Sequence, residues 1–577
     1  MPGGRLSAAR VLPWAELAGF GAAAAAVVAL ELSRHPEYIR QPHLLLAYRF
    51  DPETTLVGLA ILAAPMLWWR GGRTGVESGK GAIGGSDVQE GNETEPQGPS
   101  GSEEKLASDG QYSVRRHLLD LIIAWFLSVI LFGLSVTLTA LVGLAFRDMP
   151  PAFHDEYSSL FQAKTFLAGR LYFPQHRLPE FFDQMHVLND QGVFASRFFP
   201  GVGLWLAPWV ALGRPYWGQY LAGGLIVVLV FWIGRELGTA GDRVPSSKGS
   251  GAAPNQSQPV PAGWGATLIG FLAAFFCAVS PAMLLFGNLL LSHHPTMLGL
   301  AAFVLCYLRA LRSERLVWPA LGGIALSLAM LCRPLTAFGF ALPFGAHLGW
   351  LVARSKLTRC SSRVTTALVP LVVAVGLLAG YNALLSGSPL RTPYGLYTRI
   401  YSPNHSYGFH NVTRGQKVSS PKVLENYNQW AEELTVPRAF RLLGTRAVAS
   451  SAWSMGPVSL AWIVPVLVVM LAWLPAEWRL LAAAIVGLHA AYFSFAFEGI
   501  FGLSYVFESV PVLCLLVAGL SVWLGGQWLA QGRGRRVVWL SVFVLLGLTA
   551  PLHRLVDSGP DGGIAQVRFA RRYYADF

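Results

Sequence analysis

Charged side chains are scarce in this sequence, at 13% of residues, and acids are scarcer than bases, with 32 Asp and Glu against 44 Lys and Arg. A chain of 577 residues that is 53% hydrophobic and so thinly charged falls outside the range of ordinary soluble proteins and reads as a polytopic membrane protein. The net charge of +12 raises nucleic acid as a partner. No basic stripe with interleaved aromatics occurs, however, and Lys and Arg sit mostly between apolar runs, where they orient helices across a bilayer, so the reading is no nucleic acid. Cysteine is short as well. Cys277, Cys306, Cys332 and Cys514 lie in or at the ends of apolar runs and Cys360 in a basic loop, without CxxC or paired spacing; this supports neither a disulfide framework nor a zinc site.

What is present is a succession of apolar runs. Arg5 and Arg10 precede the run from Trp14 to Leu32, too long for a cleaved signal, and a second run from Thr55 to Trp69 is closed by Arg70 and Arg73, giving an N-terminal transmembrane hairpin over 1–70. Residues 71–114 are rich in Gly, Ser and Glu and nearly without bulky apolar residues, so they are expected to be a disordered cytoplasmic linker, and 238–262 a second flexible insert. Arg115, Arg116 and His117 start the apolar stretch Leu118 to Phe146, whose far end the positive-inside rule sends out of the cytoplasm.

From there a transmembrane domain is expected over 115–552. A short piece at Phe198 to Gly213, broken by Pro200 and Pro208, reads as interfacial or re-entrant. Spans are expected at 217–237, 264–286, 295–310, 317–331, 335–353, 367–385, 453–474, 480–497, 503–524 and 537–550, with a polar outer loop at 386–451 and an outer tail at 553–577. Arg309, Arg312 and Arg315, then Arg354, Lys356, Arg359 and Arg363, then Arg533, Arg535 and Arg536 mark the inside. The fold class is thus an all-α polytopic membrane protein of about thirteen helices, with an amphipathic helix from Asp155 that places Tyr157, Leu160, Phe161, Leu167 and Leu171 on a membrane-facing stripe.

The groups able to carry chemistry cluster where helices are expected to end. Asp155 and Glu156 are adjacent, and neighbouring helical residues do not share a face, so they cannot be a symmetric pair. Asp155 admits two readings from residue chemistry: the N-cap of its helix, with Glu156 favouring the helix dipole, or a general base with Glu156 beside it. His293 and His294, before Pro295, are either polar turn residues or ligands for a metal or phosphate. Arg333, between two spans, either snorkels or binds an anion such as a lipid phosphate, and Arg197 is a further cation at the surface. Glu498, Tyr505 and Glu508 are either part of an interfacial belt or of a substrate site.

The stretches HDEYSSLFQAKTFLAGRLYFP, RFFPGVGLWLAPWVALG, SHHPTMLGLAAFVLCYLRAL, LCRPLTAFGFALP and GLSYVFESVPVLCLL, in that order, resemble the C-type integral-membrane glycosyltransferases, in particular the bacterial relatives of protein O-mannosyltransferases and lipid A aminoarabinose transferases. The resemblance runs from Leu118 to Leu524. It implies a glycosyltransferase in a bacterial inner membrane that moves a sugar from a polyprenyl-phosphate carrier to an acceptor hydroxyl on the periplasmic side, with inversion. Carried over residue by residue, it puts the acceptor-side acid on Asp155, with Glu156 beside it, and the neutralisation of the lipid phosphate on Arg333, aided by Arg197. His293, His294, Tyr505 and Glu508 are the remaining substrate-site candidates. Members commonly carry an acidic residue before the proline where this chain has His293 and His294, so a divalent metal is a candidate cofactor only, with Asp155, Glu156 and His294 as candidate ligands. Tyr394, Tyr397 and Tyr401 are candidates for stacking on sugar or prenyl surface. The expected partners are the lipid-linked sugar, an acceptor lipid, glycan or protein, and membrane lipids. A flippase for lipid-linked sugars and a non-catalytic carrier-binding protein are the alternatives; the first predicts ionisable residues near helix centres and an internal repeat, neither of which is evident in the sequence.

Overall fold

A computed structural model describes residues 100–241, 262–354, 360–413, 428–455, 474–528, 555–556 and 562–575. The hairpin at 1–70, most of the linker, the insert at 242–261, most of the span expected at 453–474, and the span at 537–550 with Arg533, Arg535 and Arg536 lie outside the described residues.

The chain is an all-α polytopic membrane protein. Its described elements are α1 (Ser100–Leu144), α2 (His154–Leu167), β1 (Phe173–Pro174), β2 (Val187–Asp190), β3 (Val193–Ser196), α3 (Pro200–Ala211), α4 (Trp217–Gly241), α5 (Ala262–Val279), α6 (Pro281–Phe286), α7 (His293–Arg312), α8 (Val317–Cys332), α9 (Pro334–Ala353), α10 (Cys360–Ser386), α11 (Pro393–Tyr401), α12 (Val436–Ser454), α13 (Ala476–Ala491), α14 (Val510–Trp528) and α15 (Gly563–Ala575). Among the described residues, six stretches are long and apolar enough to cross a membrane: Leu118–Leu144, Trp217–Thr239, His293–Arg312, Pro334–Ala353, Ser361–Ser386 and Ile500–Val522. Their surroundings differ. In the apolar window of Ile500–Val522, 72% of residues are buried, but only 22% in those of Leu118–Leu144 and Ser361–Ser386. Ile500–Val522 is therefore central among the described spans, and the other two expose leucine and valine side chains.

Several boundaries depart from expectation for identifiable reasons. Helix α1 begins at Ser100, so the linker stops well short of residue 114. The single span expected at 264–286 is two helices, because Pro281 lacks an N–H and ends α5 at Val279. Helix α12 starts at Val436, within the expected polar loop. Helix α13 stops at Ala491, and the carbonyls of Tyr492, Phe495 and Phe497 beyond it accept from the buried guanidinium of Arg446. An orphaned carbonyl in an apolar bundle would cost several kcal/mol, so Arg446 is what lets the chain run non-helically there.

A three-stranded sheet, order β1-β3-β2, was not anticipated. Strands β2 and β3 form an antiparallel hairpin pairing Val187 with Ser196 and Asp190 with Val193. The two residues between them, Gln191 and Gly192, both have positive φ (51° and 79°), the combination that a tight two-residue hairpin loop demands. This hairpin packs on α2 and α11 on the hairpin, placing the Asp155 helix between a sheet and the bundle.

Candidate functional site

Helix α2 is amphipathic with its faces exchanged relative to a soluble helix. Its buried residues are Glu156, Ser158, Ser159, Gln162, Ala163 and Thr165, and Leu167 is exposed. Of the stripe expected to face the membrane, Leu167 and Leu171 are exposed, whereas Leu160 packs against the cluster around Leu206 of α3 and Phe161 lies against the Phe173 and Phe194 rings, so the stripe is only partly open, while the small polar face packs inward. Gln162 ties that face to α3: its Oε1 accepts from the Gly203 N–H at 3.0 Å, and its Nε2 donates to the Phe198 carbonyl and the Tyr381 hydroxyl. A Cβ at Gly203 would meet Gln162 Cγ at 2.6 Å, which explains the glycine in the RFFPGVGLW stretch.

The N-cap of α2 is Phe153, in extended conformation, and has no side-chain cap. Asp155 is therefore not the cap. Glu156 takes that work: its Oε1 accepts from the Ala152 and Phe153 N–H groups at 2.7 and 3.2 Å, and its Oε2 from the Leu290 N–H at 2.8 Å. Fully buried, it bolts α2 to the 287–292 turn. Burial raises its pKa, opposed by Arg571 and by the three N–H donors. Arg571 comes from α15, donates to the Asn288 carbonyl at 2.7 Å and lies over the Phe146 and Tyr216 rings. Glu156, expected at the catalytic centre, thus has its lone pairs committed to backbone and serves as an anchor.

Asp155, one residue earlier, points elsewhere. Its side chain is 32% exposed, and Oδ1 lies 3.2 Å from Nε2 of His186. Burial raises its pKa, while Arg197 and Arg333 lower it, so both guanidinium groups are near enough to act on this carboxylate. Arg197 reaches the place from β3: its N–H donates to the His186 carbonyl at 3.1 Å, and its guanidinium lies over the rings of Tyr394 and Tyr397 at 4.3 and 4.8 Å. Tyr397 and Tyr401 are buried, and their hydroxyls accept from the His186 and Asn189 N–H groups. They brace the hairpin and are not available as sugar platforms; Tyr394 serves as a face for Arg197.

Arg333 closes the other side. At the junction of α8 and α9 its Nε donates to Thr336 at 3.1 Å, and its Nη2 to the Tyr492 hydroxyl at 3.3 Å. Its Nη1 sits 2.8 and 3.1 Å from the two ring nitrogens of His293. A nitrogen so nearly equidistant from both lies over the ring, leaving Nδ1 to meet Glu508 Oε1 at 3.0 Å in the ring plane. Glu508 is 3.6 Å from Arg333 Nε, fully buried, and one of its oxygens has no hydrogen-bond partner. The Tyr505 ring lies tilted against that of Tyr492, centroids 5.3 Å apart. His294 is buried, hydrogen-bonded to the Met283 carbonyl and set against Phe507, 5.8 Å away. Glu498 stays at the surface.

The sequence candidates thus fall into three sets. Arg197 and Arg333 both lie within electrostatic reach of Asp155; His293, Glu508 and Tyr505 back Arg333; Glu156 and His294 are structural. The candidate metal ligands Asp155, Glu156 and His294 are not brought together, and among the described residues no group of three His, Cys, Asp or Glu is arranged to hold a metal. The His293–Glu508 pair offers two donors, and the Arg333 cation packed on it opposes a divalent ion. The donor set does not fit a metal, and no step is routed through one. Residues the sequence did not single out are His186, Thr336, Tyr492 and Arg571. A signal for the first was available: the alternation in HVLND and GVFAS around Gln191-Gly192 marks a hairpin, which fixes His186 at its mouth.

No protein-family model matches the chain, and no curated protein matches it. Among solved structures it is similar to ArnT from Cupriavidus metallidurans bound to undecaprenyl phosphate, at 12% identity and a TM-score of 0.42, over 79% of this chain and 70% of that one. It is also similar to the apo state of ArnT from that organism, at 14% identity and a TM-score of 0.40, over 78% and 68%.

Proposed function

We propose that this chain is a membrane glycosyltransferase that moves a sugar from a polyprenyl-phosphate carrier to an acceptor hydroxyl, working at the outer face of a bacterial inner membrane. The observation that carries the reading is one partly exposed carboxylate, Asp155, with two guanidinium groups, Arg197 and Arg333, acting on it from different elements. Glycosyl transfer from a phosphate needs a base for the incoming hydroxyl and cations for the departing phosphate. A carboxylate whose pKa is raised by burial is a stronger base than a free aspartate. Arg333 is held rigid by Thr336, Tyr492, His293 and Glu508, so its charge is preorganised for the leaving group.

In the proposed step the acceptor O–H loses its proton to Asp155, the hydroxyl oxygen forms a bond to the anomeric carbon, and the bond from that carbon to the phosphate oxygen breaks. Polyprenyl phosphate departs with the electron pair, paired to Arg333 and Arg197. A single displacement of this kind inverts the anomeric centre. The test is turnover of labelled polyprenyl-phosphate sugars by purified protein in liposomes. Asp155→Asn is expected to lose about 100-fold or more in kcat, and Arg333→Ala to weaken donor use while binding of the apolar tail persists. Full turnover by Asp155→Asn would remove the base assignment.

A further inference from the structure

Besides the groups used in the chemistry proposed above, Asp155 Oδ1 has a neighbour from the mouth of the hairpin, Nε2 of His186, at 3.2 Å. His186 is 8% exposed, and its Nδ1 is buried without a hydrogen-bond partner. Its backbone is held in the left-handed region, with φ of 66°, uncommon for any residue but glycine, although histidine, like asparagine and aspartate, enters it more readily than most. Three hydrogen bonds from three elements maintain that conformation. Its N–H donates to the Tyr397 hydroxyl at 3.0 Å, and its carbonyl accepts from Ser158 Oγ at 2.7 Å and from the Arg197 N–H at 3.1 Å. Ser158 Oγ is bonded in turn to Ser196 Oγ at 2.8 Å. The hairpin, α2 and α11 are thus all spent on aiming one imidazole, and it meets Asp155 at 3.2 Å through Nε2.

We propose that His186 is the positioning residue of this site: its Nε2–H holds Oδ1 of Asp155, fixing the carboxylate so that Oδ2 is the oxygen that takes the acceptor's proton. The assignment rests on the reading of Asp155 as base. With Nδ1 buried and unpaired, the proton is placed on Nε2, in contact with Asp155 Oδ1 at 3.2 Å but not aligned on it; a small rotation of the carboxylate completes the bond. Burial, reinforced by Arg197 and His154, keeps the ring neutral, with a pKa well below the ordinary histidine value, so it offers Asp155 one donor and no competing charge. Because Nε2 already carries a proton and Nδ1 has no path to water, the ring directs the carboxylate and does not relay the proton. The proton from the acceptor hydroxyl ends on Asp155 Oδ2 and leaves after product departs.

Two substitutions separate this role from a purely structural one. Asparagine tolerates positive φ, but its amide nitrogen stands where Nδ1 does and cannot reach Oδ1. Glutamine is strained at that φ, but it places its amide near the Nε2 position. A structural role predicts that His186→Asn outperforms His186→Gln; the positioning role predicts the reverse. In liposomes with a labelled polyprenyl-phosphate sugar, His186→Ala is expected to lose about 10- to 100-fold in kcat with little change in donor KM. His186→Gln is expected to recover part of the loss. In His186→Ala the acidic limb of the kcat/KM profile moves to higher pH, since the carboxylate loses a donor while Arg197, Arg333, His154 and Tyr397 still face it. Activity of His186→Asn at or above that of His186→Gln, or an unmoved acidic limb, overturns the proposal. If the variants do not fold, nitrogen NMR of the histidine-labelled wild type decides: a proton on Nε2 of His186 supports the assignment, and one on Nδ1 overturns it. An active Asp155→Asn refutes the base reading itself, whatever the His186 variants do.

Discussion

Asp155 and Glu156 differ by one position, about 100° around the helix, and that rotation decides their chemistry. Glu156 lands against three backbone N–H groups, within reach of a buried arginine; Asp155 lands partly exposed, within electrostatic reach of two arginines. Removing the Glu156 carboxylate leaves the Ala152, Phe153 and Leu290 donors without an acceptor in a buried place. Glu156→Ala is therefore expected to cost about 3–5 kcal/mol, and Glu156→Gln less because one oxygen remains; thermal unfolding in detergent measures both, and an unchanged midpoint for Ala would refute the anchor. Asp155 obeys the opposite sign. Its folded pKa is raised by burial, so the folded state binds its proton more readily than the unfolded chain does. Folding gains as pH falls through that window, while the base, needed ionised, is lost. Activity should fall on acidification at a pH above the ordinary aspartate value of about 3.9. Asp155→Asn is expected to be as stable as wild type or more so at neutral pH, even as turnover collapses. The two arginines and the Glu508 neighbourhood were legible as charges that an apolar chain would not carry idly. His186 was legible only indirectly, through the alternation that marks the hairpin after it, because a single histidine in a polar loop carries no signal of its own.

At the scale of elements, apolar runs gave the spans within a few residues wherever a helix is unbroken, as for Val317–Cys332 and Pro334–Ala353. They failed where the backbone changes character inside a run, at Ser280-Pro281, after Ala491, and in the 3-10 turns at Ile500–Gly502 and Phe507–Ser509. Hydropathy is blind to such breaks because the residues stay apolar while buried side chains such as Arg446 satisfy the freed carbonyls. Close helix contact was equally hidden in the glycine count. Helices α9 and α13 approach at Gly339 and Gly487: a Cβ on Gly339 would meet Ala491 Cβ at 2.6 Å and the Gly487 carbonyl at 2.9 Å, and one on Gly487 would run into the Gly339 carbonyl. Gly487→Val is predicted to destabilise the protein by about 1–3 kcal/mol. Gly349→Ala, in the same α9 but with open space at its Cβ, is predicted to leave the unfolding midpoint unchanged or raised. Equal effects from the two would deny the close crossing.

For the whole molecule, α15 settles on the end of the bundle that carries Asp155, since Arg571 touches Asn288 and Arg568 Nε donates to the Ala145 carbonyl at 2.9 Å. Leu390 and Phe569 are 93% and 76% exposed, and Cys277, Cys306, Cys332 and Cys514 are buried, so a background in which Cys360 is replaced by serine labels little. Cysteines placed at Leu390 and at Phe569 should react with an impermeant maleimide from the same side of sealed vesicles, in agreement with the outer tail read from the charge pattern. Labelling from opposite sides would contradict the placement.

Arg568 and Arg571 also set a clock on the site. The Ala145 and Arg568 partners are 423 residues apart, and chains are made at roughly 5–20 residues per second, so the acidic helix exists for tens of seconds before its arginine support is synthesised. Until then Glu156 has no counter-charge, and burial favours its protonated form, which gives up one of its acceptors. A nascent chain in this interval holds Asp155 on an unfastened helix.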